Sequence, residues 1–226
     1  MQSGTLFIIA TPIGNLGDLS ARAIETLKSV DLVLAEDTRV TKKLLMHFAI
    51  KAPVKSYHQH SSHEDRLFIL NELLHNKNLA LVSDAGTPGI NDPGNELIDF
   101  LITNSETLKI IPVPGASTIS AALSVCGFVT TPFTFIGYFP KKGKTRLIQD
   151  IKSSREAIVY FDSPHRVLDN LRALQTDLEL GRRIFVAREM TKMFETYYRG
   201  TLEEVTSKLE KETIRGELVV VLEAAH

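Results

Sequence analysis

The sequence predicts an α/β fold made of two α/β domains with a ligand cleft between them, and three observations carry that expectation. Short runs rich in β-branched and aromatic residues alternate with segments of helical apolar periodicity from end to end, the pattern of an α/β chain with mostly parallel pairing. A length of 226 residues with 43% hydrophobic side chains is enough for one large core or two small ones. Pro112-Val113-Pro114-Gly115 sets two prolines and a glycine at the end of an apolar run, which divides the chain into near halves, 1–113 and 114–226. A cleft between such halves is the default place for a small ligand.

In chain order, the first half offers strands at Thr5–Ala10, Leu32–Ala35, Leu79–Ser83 and Lys109–Val113. A helix over Leu19–Ser29 takes Asp18 as its N-cap, and a second over His63–Asn76 presents Leu67, Leu70, Leu73 and Leu74 as one apolar face. The second half offers strands at Phe133–Tyr138, Ala157–Phe161, Ile184–Ala187, Thr196–Arg199 and Glu217–Leu222. Thr201-Leu202-Glu203-Glu204 is a capping box that opens a further helix. No internal repeat or low-complexity stretch interrupts the alternation.

Composition removes several classes of function. A mean hydropathy of +0.01 and 23% charged residues exclude a disordered or fibrous chain. No run approaches the ~18 apolar residues that a membrane span requires. The opening MQSGTLFIIATP has no basic leader region, so the expected location is the cytoplasm. Cys126 is the single cysteine, so neither an internal disulfide nor a cysteine-based zinc site is available, and its apolar surroundings read as buried packing. With 26 Lys and Arg against 27 Asp and Glu, a nucleic-acid partner must be held by local basic patches rather than by the global field.

Three strands run into loops of Gly, Pro and small polar residues: Thr11-Pro12-Ile13-Gly14-Asn15-Leu16-Gly17, Asp84-Ala85-Gly86-Thr87-Pro88-Gly89 and Pro114-Gly115-Ala116-Ser117-Thr118. Open α/β sheets bind ligands beyond the carboxyl ends of their strands, where such loops let backbone amides approach closely. One loop alone is an ordinary turn; three at comparable positions indicate a cofactor with a nucleoside and a polar tail. The first is not the G-x-G-x-x-G dinucleotide fingerprint, which disfavours a nicotinamide. Glu36-Asp37 sits near the offset of a ribose-binding acid, which keeps a nucleotide oxidoreductase as a minor reading.

The segments TPIGNLGDLSARAIETLKSVDLVLAEDTR, SDAGTPGINDPG, VPGAS, DSPHR, REMTK and RGELVVVLE, in this order, resemble the tetrapyrrole methylase-like (class III) methyltransferases over essentially the whole chain. The resemblance implies two α/β domains, S-adenosyl-L-methionine folded in the cleft between them, and a homodimer. It is strongest to members that act on RNA. That implies methyl transfer to the ribose 2'-hydroxyl of a cytidine in the decoding region of 16S rRNA, with the RNA met within the small ribosomal subunit. Carried over by position, Pro12, Ala85, Gly86, Thr87, Ile90, Ser117, Thr118, Phe161 and Met190 are the implied cofactor contacts. Gly86-Thr87-Pro88 stands where tetrapyrrole methylases have Gly-Asp-Pro, which argues against a corrin or uroporphyrinogen substrate. Longer members carry a C-terminal helical extension beyond the point where this chain ends, His226.

Transfer of a sulfonium methyl group to a hydroxyl is an in-line displacement in which alignment supplies most of the catalysis. A carboxylate can take the hydroxyl proton while Arg or Lys stabilises developing oxyanion charge, so Glu36, Arg39, Glu189 and Lys192 are the expected catalytic groups. Asp37 and Arg188 stand beside them, and Glu36, Arg39, Arg188 and Glu189 also read as ion pairs between domains. Lys141, Lys142, Lys144 and Arg146, with His165 and Arg166, are the expected RNA contacts. His58, His60 and His63 have no cysteine near them and a spacing unsuited to a metal. No metal is expected, and with Tyr57 they are read as polar donors facing RNA or the cleft. His47 and His75 are read as surface residues, and Phe194, Tyr197 and Tyr198 as bases' stacking partners of which at least one is core. A same-fold methylase for a small molecule and a ribosome-binding module without chemistry remain alternatives.

Overall fold

The computed structural model describes residues 3–225; the terminal Met1, Gln2 and His226 of the sequence reading lie outside the described residues. The chain divides into two compact units, 1–117 and 118–226. The first contains β1 (Thr5–Ile9), α1 (Ala21–Ser29), β2 (Leu32–Ala35), α2 (Thr38–His47), β3 (Val54–Ser56), α3 (His63–Leu74), β4 (Leu79–Val82), α4 (Asn95–Asn104) and β5 (Lys109–Val113). Its strands pair in the order β3-β2-β4-β1-β5, all parallel. Alternate side chains of each strand point to opposite faces, and both faces are covered. Ile9, Val33, Ala35, Ala80 and Val82 pack with Leu27 of α1 and Leu44 and Leu45 of α2. Leu6, Leu34, Leu79 and Leu81 pack with Ile69 and Leu73 of α3 and Leu97 and Leu101 of α4.

The second unit contains α5 (Thr118–Val125), β6 (Phe133–Tyr138), α6 (Lys144–Ser153), β7 (Ala157–Asp162), α7 (Val167–Asp177), β8 (Arg183–Arg188), β9 (Thr196–Thr201), α8 (Leu202–Leu209) and β10 (Leu218–Leu222). Its sheet runs β6-β7-β10-β8-β9, with β6 and β7 parallel and every later pair antiparallel. Parallel pairing therefore fills the first sheet and ends one pair into the second, because β10 runs antiparallel between β7 and β8, and β9 returns from β8 by a short connection with no crossover helix. One face packs Ile158, Tyr160, Val186 and Val220 against Ile151 of α6, Leu171 and Leu174 of α7, and Val205 and Leu209 of α8.

Local structure corrects three expectations and adds one strand. Asp18 does not cap α1: it ends a short turn, Leu16–Asp18, and the Ser20 hydroxyl accepts from the Ala23 amide instead. The inward face of α3 is Ile69, Leu70 and Leu73, while Leu67 and Leu74 face solvent, a one-residue change of phase that brings Ile69 inside. Tyr57 does not reach outward, since burial in the core beside α3 is worth more than exposure of its ring. The strand β3 has no counterpart in the sequence reading. The Thr201–Glu204 capping box closes reciprocally, and Cys126 is buried, directing its thiol to the Leu123 carbonyl. Among the described residues no helix is long and apolar enough to cross a membrane.

Candidate functional site

In the first unit, β1, β2, β4 and β5 run parallel, so the loops that follow them gather at one edge of the sheet. The loops after β1 and β4 are joined: the Thr11 amide donates to the Gly86 carbonyl at 2.8 Å and the Gly86 amide to the Thr11 carbonyl at 3.1 Å. The Thr11 hydroxyl donates to the Ser83 carbonyl at 3.1 Å, and the Thr87 hydroxyl to the Ala116 carbonyl at 3.4 Å, which draws in the loop after β5. Gly115 lies so close to β1 that a Cβ there would stand 3.1 Å from the Ala10 Cβ. Gly86 differs: a Cβ would find ordinary contacts, but φ is +82°, so backbone conformation is what demands glycine. Pro12 is buried, Ser117 is half-buried, and Ala85 and Ile90 are exposed on this loop edge.

Carboxylates collect at the same edge. The Asp37 amide donates to Asp84 Oδ1 at 3.0 Å, which ties the end of β2 to the end of β4. Burial, reinforced by the charge of Asp84, raises the Glu36 carboxyl above the usual carboxylate range. Burial and the charge of Glu36 push Asp92 up to about 6. Asp37, the N-cap of α2, moves the other way, to about 2, because the Arg39 side chain and amide hydrogen-bond to it. Arg39 is committed to that pair at 2.6 Å and is largely exposed. Sequence reasoning missed Asp92; its signal was the Asn91-Asp92-Pro93-Gly94 turn that follows the second glycine-rich loop.

In the second unit, Asp162 at the end of β7 is buried and accepts from the Ser163 amide at 2.8 Å and Asn170 Nδ2 at 2.7 Å. Lys144 Nζ donates to Asn170 Oδ1 at 2.7 Å, so this lysine braces the turn from within. Arg166 Nη1 donates to the Phe139 carbonyl at 2.9 Å and its Nε to Ser163. Lys141, Lys142, Arg146 and His165 are exposed. Phe161 is half-buried among Phe135 and Tyr138, with ring centroids at 5.0 and 5.6 Å, and Met190 is buried. Thr118 opens α5.

At the end of β8, Glu189 and Lys192 satisfy each other. Lys192 Nζ donates to Glu189 Oε1 at 2.8 Å and to Glu217 Oε2 at 2.9 Å, and the Glu217 amide donates to the same Glu189 oxygen. Burial opposes the charge of Glu189, but the Lys192 and Glu217 bonds outweigh it and lower its pKa. This is an ion triad inside one unit, and Glu189 holds it in a left-handed backbone conformation. Arg188 donates to Thr196 Oγ1 at 3.0 Å. Phe194 is exposed, Tyr197 partly so, and Tyr198 is core. His58, His60 and His63 are exposed, as are His47 and His75; His63 stacks edge-on against Phe100. Among the described residues no group of His, Cys, Asp and Glu is arranged to hold a metal.

A family model described as Tetrapyrrole (Corrin/Porphyrin) Methylases matches residues 5–206. Ribosomal RNA small subunit methyltransferase I of Synechocystis sp. is 45% identical over 224 residues, 98% of this chain and 80% of that protein. The protein of the same name from Thermotoga maritima is 42% identical over 222 residues, 97% of this chain and 98% of its own length. Among solved structures, the methyltransferase CobJ superposes with a TM-score of 0.72 at 18% identity, covering 99% of this chain and 95% of CobJ. A uroporphyrin-III C-methyl transferase from Thermus thermophilus complexed with S-adenyl homocysteine gives 0.64 at 17% identity over 97% of each chain. At such identities these two likenesses speak for the fold.

Proposed function

The chain belongs to the Tetrapyrrole (Corrin/Porphyrin) Methylase family, and on that premise we propose that it moves the methyl group of S-adenosyl-L-methionine to the ribose 2'-hydroxyl of a cytidine in the decoding region of small-subunit rRNA. The observation that carries the substrate class is identity of 45% and 42%, over nearly the whole chain, to relatives named for small-subunit rRNA methylation. The Gly86-Thr87-Pro88 loop agrees, since a small tetrapyrrole is not what this variant of the loop resembles.

The joined loops after β1, β4 and β5 suit the cofactor, because Gly86 turns its backbone with φ of +82° and Gly115 leaves no side chain between the loop and β1. Pro12, Ala85, Gly86, Thr87, Ile90 and Ser117 are the proposed contacts from these loops; Thr118, Phe161 and Met190 are kept as further proposed contacts on the family resemblance. The bound cofactor supplies a methyl group already activated on sulfur. What this chain must add is alignment of the hydroxyl and a place for its proton. Glu36 is the proposed proton acceptor: it is half-buried at the loop edge, and its raised pKa brings a carboxylate nearer to the strength a neutral-pH base needs. Arg39 is the proposed cation at that edge, while Glu189 and Lys192 are proposed to hold the β8 loop in shape through their triad. The partner is rRNA within the small subunit, met by a cytoplasmic homodimer; sedimentation at micromolar concentration should show a dimer, and a monomer alone would contradict it.

Incubation of the protein with tritiated cofactor and unmethylated small subunits, followed by mapping of the modified nucleotide, tests the whole reading. Label on a single ribose of a decoding-region cytidine is expected. Label on a base, on protein or on a different nucleotide would overturn the proposed specificity.

A further inference from the structure

At the far end of α2 from the carboxylate edge lies a surface groove of about 520 Å³, bounded by that helix and the edge strand β3. Its lining is largely apolar: Leu45 and Ile50 are buried, Pro53 lines it as well, and Met46 is 76% exposed. Lys42 and Lys51 both line the groove, and no carboxylate is among the lining residues. Among the described residues neither lysine enters an ion pair, whereas Lys55 on the neighbouring strand is bound to Asp65 at 3.0 Å. Lys43 is exposed beside them. The shape is maintained by the end of α2, where Ala49 adopts φ of 53° and the Ile50 amide returns to the Leu45 carbonyl at 2.8 Å, so the turn that forms the groove is fixed by hydrogen bonds.

An apolar lining that also carries two unpaired cations fits a ligand with a flat apolar part and neighbouring anions. An unstacked nucleotide has that form, a base flanked by its 5' and 3' phosphates. The volume lies within the range of small-ligand sites. We propose that this groove is a second RNA-docking surface, seating one single-stranded base against Met46 and Pro53 with its phosphates on Lys42 and Lys51. The inference rests on the reading of the chain as an rRNA methyltransferase. In a chain of net charge −1, concentrated unpaired lysines are how an anionic polymer can be held.

The test is methylation of small subunits, and equilibrium binding of naked small-subunit rRNA, by the full chain and by Lys42→Ala/Lys51→Ala, across a salt series. Loss of two phosphate contacts to a single strand should flatten the slope of log K against log[salt] by about 1.4 and weaken binding roughly tenfold at physiological salt. Met46→Asp should weaken binding without flattening the slope to that extent, and S-adenosylhomocysteine affinity should stay as in the parent for all variants. Photo-cross-linking should place nucleotide adducts on Met46 or Pro53. A parent that methylates subunits, with variants unchanged in slope and affinity, overturns this surface alone. A parent that methylates no rRNA overturns both this surface and the functional reading. Variants impaired on subunits but not on naked rRNA would show that a ribosomal protein occupies the groove, and so overturn the RNA occupant.

Discussion

A single carboxylate illustrates how neighbours decide a residue's chemistry. Glu36 was legible because it ends an apolar strand in AEDTR, and Glu36→Gln should lower kcat by a factor of about 10² to 10⁴ while leaving S-adenosylhomocysteine binding unchanged. An undiminished kcat would assign the proton to another group. Asp92 was not legible, because it joins Glu36 and Asp84 only when the loop after β4 folds back on the sheet edge. Its pKa of about 6, against an ordinary 3.8, means that the folded protein holds this proton more readily than the unfolded chain between those values. The contribution favouring the fold is therefore complete at low pH and lost as pH rises through about 6. Asp92→Asn should accordingly stabilise the protein near about pH 8 by roughly 1 kcal/mol after solvent screening, with the gain vanishing near about pH 4. Thermal unfolding at the two pH values measures this, and an equal effect at both would contradict it.

Elements were legible in proportion to their length and the regularity of their signals. Strands β2, β5 and β6 match their expected bounds, and the capping box of α8 was visible in four consecutive residues. Thr201→Ala should cost about 1 kcal/mol, read as a lower denaturation midpoint with unchanged m-value, because the Glu204 amide loses its acceptor. No change would mean that water replaces the hydroxyl at no cost. The strand β3 was hidden by its brevity: Val54-Lys55-Ser56 follows Pro53 and shows too little alternation to separate a strand from a turn. Helix α3 was found, but its inward face was displaced by one residue, since four leucines and an isoleucine give two almost equivalent stripes and only packing against β4 chooses between them. Lys144 looked like one cation in a basic run; its partner Asn170 lies 26 residues downstream and only the fold brings it near.

At the scale of the whole molecule, a net charge of −1 leaves long-range attraction for RNA weak, and some cations are taken up in internal pairs, such as Lys192 with Glu189 and Glu217. Local contacts must then meet a target already in shape, so methylation should be faster on assembled subunits or late intermediates than on naked rRNA, with Lys141, Lys142 and Arg146 among the contributors. Equal rates on both substrates would contradict this. The order of strands has another consequence, for the chain while it is still being made. Strand β1 emerges first, yet its partners are residues 79–82 and 109–113, so at about 5–20 residues per second both its edges stay bare for several seconds. In the second unit the delay is reversed: β10, made last, is the strand between β7 and β8. A nascent chain stalled before residue 218 would carry a sheet missing its middle, with two long apolar edges open to any neighbouring polypeptide, and would depend on chaperones that shield strand edges.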